Sequence, residues 1–101
     1  MDFRTSGDVL HEVRNVLQDN KTADLSDTAV EQLSAGITKG VDDFLNTHRD
    51  IDFTLEQVLD AVDGRLRLAG TISPDTNDAQ MEAIHDAIDA GTHRAVERMN
   101  A

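Results

Sequence analysis

The 101-residue chain has no cysteine, no tryptophan and no tyrosine, and it carries one proline and two lysines. Without cysteine there can be no disulfide, no thiolate metal site and no cysteine nucleophile. Three phenylalanines are the only aromatic residues, so the core has to be assembled from Val, Leu, Ile, Ala and Met. No apolar run approaches the ~20 residues that span a bilayer, and no charged-then-apolar leader opens the chain. A soluble protein is therefore expected, with no membrane partner, working inside a cell or inside a particle assembled there. Basic residues are also scarce. Nine Lys and Arg stand against twenty Asp and Glu, for a net charge of −11. The basic patch that binds nucleic-acid phosphates is missing, which argues against direct contact with DNA or RNA.

What is present is a heavily acidic surface of a particular kind. Fifteen of the acids are Asp, and seven of the nine bases are Arg. Asp-rich, Lys-poor, aromatic-poor chains resemble the proteins of salt-loving archaea and bacteria. At about 1 M salt the Debye length falls to roughly 3 Å, so crowded like charges cost little there. In dilute buffer the same charges repel one another and loosen the compact state. An ordinary acidic soluble protein is the other reading of this composition.

The length suits one domain spanning 1–101, which buries about two-thirds of its unfolded surface. The hydrophobic spacing predicts an all-α fold, a compact bundle of four short helices over about 7–19, 26–48, 54–69 and 74–99. Helix one carries Val9, Leu10, Val13, Val16 and Leu17 on one face, and Asp19-Asn20 ends it. Ser26 is the N-cap expected for helix two, with Leu25 and Val30 placed as a hydrophobic staple. The apolar face then runs through Leu33, Ile37, Val41, Phe44 and Leu45. Gly36 and Gly40 lie inside this helix, where each costs about 0.5–1 kcal/mol against Ala. Close approach of another helix is the expected compensation.

Thr54 and Gln57 form a capping box for helix three, with Phe53 and Val58 as its staple. Its stripe is Leu55, Val58, Leu59, Val62 and Leu66, and Gly70 closes it. Ser73-Pro74 opens helix four, with Pro at the first helical position. The stripe of this last helix is Met81, Ile84, Ile88, Ala95 and Met99, flanked by a slight ridge of Ala79, Ala83, Ala87, Ala90 and Gly91. Such a helix can complete its own bundle, or it can act as an oligomerisation or partner-docking arm.

Motifs that bear chemistry are sparse. Glu82-Ala-Ile-His85 is one half of the paired Glu-x-x-His motif of di-iron bundles, and no second copy exists unless a dimer supplies it. His85, Asp89 and His93 share one helix face at spacings of four, which fits either a transition metal or a solvated polar face. Asp75 to Asp78 starts like a calcium loop, but Gln80 stands where the glycine is required and Asp86 where the bidentate Glu is required. Helix-start chemistry explains that segment better. There is no Gly-rich phosphate loop and no assembled triad of Ser, His and Asp. Neither catalysis nor a resident metal or other cofactor is expected.

The order of parts in Val9–Leu45 carries a resemblance. An apolar helix bearing Arg14 and ending in Leu17-Gln18-Asp19 is followed by a loop and then by Ser26-Asp27 at the head of a long second helix. This pattern is similar to the small helical head–tail adaptor (connector) proteins of tailed viruses, over roughly the first half of the chain. The resemblance implies a structural role in a virion assembled in the host cytoplasm. It also implies a ring of identical subunits contacting the portal protein and a tail-completion protein. In such assemblies a terminal segment usually grips the portal, which makes the helix-four stripe of Met81, Ile84, Ile88, Ala95 and Met99 the candidate partner interface. Two other readings remain open: a small acidic cytosolic interaction or regulatory module of a halophile, and a metal-binding helical dimer.

Overall fold

The computed structural model describes residues 7–20, 23–48 and 53–99. Their regular structure is helical: α1 (Gly7–Asp19), α2 (Asp27–Thr47), α3 (Leu55–Leu68) and α4 (Asp78–Met99) form an all-α four-helix bundle. Among the described residues no helix is long and apolar enough to cross a membrane.

Local chemistry sets the helix ends. The Ser26 hydroxyl accepts from the Ala29 amide at 3.1 Å, capping α2. Leu25, partly buried, packs on the core that includes Val30, as a staple requires. The reciprocal capping box of α3 is complete: Gln57 N donates to Thr54 Oγ1, and Thr54 N donates to Gln57 Oε1. At the other end of α3 the Gly70 amide donates to the Arg67 carbonyl at 3.1 Å, and the Thr71 amide donates to that of Leu66 at 2.9 Å. This is a Schellman closure, and it needs Gly70 because φ there is +76°.

The start of α4 departs from the sequence expectation. It begins at Asp78, four residues after Pro74. Asn77 is the cap, its Oδ1 accepting from Gln80 N at 2.8 Å while Gln80 Oε1 accepts from Asn77 N at 3.2 Å. Ser73 to Thr76 instead close a turn of their own, with the Thr76 amide donating to the Ser73 carbonyl and the Asp75 amide to Ser73 Oγ. Two start signals compete within one turn of chain, and the reciprocal cap satisfies two donors where proline merely lacks one.

The core is aliphatic. Val9, Val13, Leu17, Ile37, Val41, Leu45, Val58, Val62, Leu66, Ile84 and Ile88 are buried in one cluster. The packing centres on α2 and α4: each touches α1 and α3, whereas α1 and α3 hardly meet. Helices α2 and α3 run antiparallel. A Cβ built on Gly36 would meet Leu66 Cδ2 at 2.8 Å, and one built on Gly40 would meet the Val62 methyls at 3.2 Å. Both glycines thus permit the close approach that their position inside a helix implied. Beyond them Phe44 stacks on the His48 ring, centroids 4.0 Å apart, and meets Phe53 edge-on at 5.4 Å. This aromatic cluster joins the end of α2 to the entry of α3.

Candidate functional site

Helix four was the sequence candidate for a partner surface, and its stripe faces inward. Ile84, Ile88 and Ala95 are buried in the core of their own bundle, and Met81 is partly buried against it. The Met99 backbone closes α4, but its side chain lies outside the described residues. Part of the small ridge faces inward as well: Ala83 and Ala87 are buried, and so is Gly91, which lies against α1, whereas Ala79 and Ala90 are only partly buried. Ile84, Ile88 and Ala95 are therefore occupied within the subunit, and a surface built on them would require the bundle to open. The apolar stripe is the same whether a helix completes its own core or docks elsewhere, which is why sequence alone left both outcomes open.

The polar groups of α4 separate into pairs. His93 Nε2 lies 2.9 Å from Asp89 Oδ1, one turn away. His85 leans across to α3, its Nε2 3.9 Å from Asp63 Oδ1. The row of His85, Asp89 and His93 is thereby divided, and Glu82 is exposed beside it. Among the described residues no group of three or more His, Asp or Glu side chains comes together as a metal site. Asp75 to Asp78 serve the turn and the helix start described above.

Two surface features stand out in what remains. The first is a groove of about 420 Å³ between α1 and α4. Val16 and Ala90 supply its apolar part, and Glu12, Asp86, Asp89 and Glu97 its carboxylates, with His93 and Arg94 also lining it. Four acids against one arginine make it strongly electronegative. Arg94 itself is held 3.6 Å from Glu97.

The second feature is the C-terminal end of α3. Leu68 is 92% exposed, the one exposed large hydrophobic residue among those described. Arg65 and Arg67 adjoin it, and the bases tie down to nearby acids: Arg65 Nη1 lies 2.6 Å from Asp43 Oδ2, Lys39 Nζ 3.9 Å from the same oxygen, and Arg67 Nε 2.9 Å from Asp63 Oδ2. The arginines beside Leu68 are thus already paired within the subunit, Arg65 with Asp43 and Arg67 with Asp63, and both remain partly exposed. The sequence reading passed over Leu68. The signal was available, because it falls outside the stripe that ends at Leu66 and so had no place in the core.

Between α1 and α2, Arg14 Nη2 donates to Glu31 Oε2 at 3.1 Å. This exposed bond links the arginine of the first helix to the first turns of the second. Comparison with family models, curated proteins and solved structures gave no match.

Proposed function

We propose that this chain is a non-enzymatic structural adaptor of a tailed-virus particle, a subunit of a ring that joins the portal to the tail. The observation that carries the reading is the construction of its front half. An apolar helix with Arg14 and a Leu17-Gln18-Asp19 ending leads through a short loop to Ser26, which caps a 21-residue α2. Arg14 and Glu31 tie the two helices together across that loop. A bundle closed on one aliphatic core suits a part that transmits load between neighbours. The portal contact in this reading draws on surface residues rather than on Ile84, Ile88 and Ala95.

The acidic composition favours a second reading, a small cytosolic interaction or regulatory module of a halophile. At −11 per chain, either kind of assembly has to overcome self-repulsion. Association should accordingly be promoted by molar salt or by basic partner surfaces.

Affinity capture of the tagged chain from its native source, in about 2–3 M salt to screen the surface, separates the two. Recovery of portal, capsid or tail proteins supports the adaptor. Recovery of cellular proteins alone, from cells in which virus particles are being assembled, retires it in favour of the module.

A further inference from the structure

We propose that copies of this chain join head to tail, with the C-terminal end of α3 in one copy seated in the α1–α4 groove of the next. The proposal rests on the ring reading above and deepens it by naming the two surfaces.

Their chemistry is complementary. The α3 end presents Leu68, 92% exposed, with Arg65 and Arg67 adjoining it. The groove offers Val16 and Ala90 as an apolar seat, with Glu12, Asp86, Asp89 and Glu97 around it. An apolar anchor beside arginines, set into an apolar seat rimmed by acids, buries the one exposed large hydrophobic side chain among the described residues. It also brings Arg65 and Arg67, each held in its own copy by one aspartate, towards the carboxylates of Glu12, Asp86, Asp89 and Glu97. A Cβ on Gly64, one turn before Leu68, would have no atom within 4 Å, so the outer side of α3 is lightly furnished and open to a neighbour.

The fold decides who the occupant is. Helices α1 and α3 lie on different sides of the α2–α4 pair and hardly touch, so the end of α3 cannot reach the groove of its own copy. Two unlike surfaces on different sides of one molecule make a heterologous contact. Repetition of such a contact closes a ring or extends a filament. Salt acts on it in two ways: it weakens the local pairing of arginine with carboxylate and relieves repulsion between chains of −11. Burial of Leu68 survives both effects and should dominate at high salt.

The test uses a property that only unlike surfaces have. Leu68→Asp removes the anchor and leaves the groove intact, and Ala90→Arg fills the groove and leaves the anchor intact. Asp86→Arg, on an exposed residue, replaces Ala90→Arg if that variant loses its helical circular dichroism. Sedimentation velocity at about 0.3 M and 2 M salt, spanning strong and nearly complete screening, reads the assembly state. The wild type should form oligomers beyond dimers, and each variant alone should need at least tenfold higher protein concentration to associate. An equimolar mixture of the two variants should give one-to-one dimers that grow no further.

Wild-type assembly undiminished by Leu68→Asp overturns this contact and leaves the ring reading standing. A wild type that stays monomeric while still capturing portal proteins overturns the contact and leaves the adaptor reading standing. One-to-one dimers from the mixture, with no viral protein captured, sustain the contact and remove the adaptor.

Discussion

A β-carbon on Gly91 of α4 would stand 2.7 Å from Cγ2 of Val13 on α1, closer than packed atoms come. Glycine inside a helix normally costs stability, so its presence here has a steric cause: the two helices meet where only hydrogen fits. The obstructing methyl belongs to a stiff, buried valine and cannot swing away as a long side chain would. Gly91→Ala should therefore lower stability by about 1–3 kcal/mol despite alanine's better helix propensity. Gly64 has empty space at the same position, and Gly64→Ala should raise stability by about 0.5–1 kcal/mol. Urea unfolding of the two variants in high salt checks the contrast, and equal shifts of the midpoint would remove the packing argument.

The start of α4 can be tested by removing its cap. Asn77→Ala deletes the acceptor for the Gln80 amide and should cost about 1 kcal/mol. Pro74→Ala changes a residue in the preceding turn and should leave the helix start where it is. Amide exchange reads the outcome: Asn77→Ala should speed exchange at Gln80 and Met81, while Pro74→Ala should not. The reverse pattern would return the helix start to Pro74.

Burial without a partner marks Ser34. It is 0% exposed on α2, and its Oγ has no hydrogen-bond partner. A buried hydroxyl left unsatisfied costs about 1–3 kcal/mol. Ser34→Ala removes that group and adds a better helix former, so the melting temperature should rise. An unchanged or lower melting temperature would mean that the hydroxyl has a partner in solution.

Most of the fold was legible because its signals are local. Ser26, Thr54 with Gln57, and Gly70 each act within a turn of chain, the first two starting a helix and the last closing one where the pattern of neighbours implied. The exception at Pro74 is also local, a contest between two start signals that propensity alone does not rank. The inward orientation of α4 is a different matter. Met81, Ile84 and Ile88 make the same stripe whatever covers them, and only the approach of α1 at Gly91 shows which partner does. The surfaces were the least legible part. Leu68 and the groove beside Val16 and Ala90 take their meaning from elements far apart in the chain, and no periodicity within one helix encodes that.

Ile84 separates a core role from a docking role for α4. It is 1% exposed, so Ile84→Asp places a carboxylate in an aliphatic interior with no cation to meet it. The cost is several kcal/mol, a large share of the stability of a domain this size. The variant should lose its helical circular dichroism and its cooperative melt, whereas Leu68→Asp should keep both. A folded Ile84→Asp protein that had lost only partner binding would reverse the assignment and make α4 an outward arm.

Salt should stabilise the folded monomer, and the reason lies in a balance of charges. The ion pairs of Arg14 with Glu31, Arg67 with Asp63, and Arg94 with Glu97 sit at the surface and weaken as salt rises. Exposed pairs are worth about 0–1 kcal/mol each, so their loss is small. The excess of eleven negative charges repels across the whole molecule, and salt screens that repulsion at the same time. Repulsion is the larger effect, so the melting temperature should climb between about 0.1 M and 2 M sodium chloride. The groove gives a way to locate the effect, because Glu12, Asp86, Asp89 and Glu97 lie together there. Glu12→Gln combined with Asp86→Asn should raise the low-salt melting temperature and flatten its dependence on salt. If the double variant gains nothing at low salt, the repulsion is spread evenly over the surface and the groove is no special concentration of it.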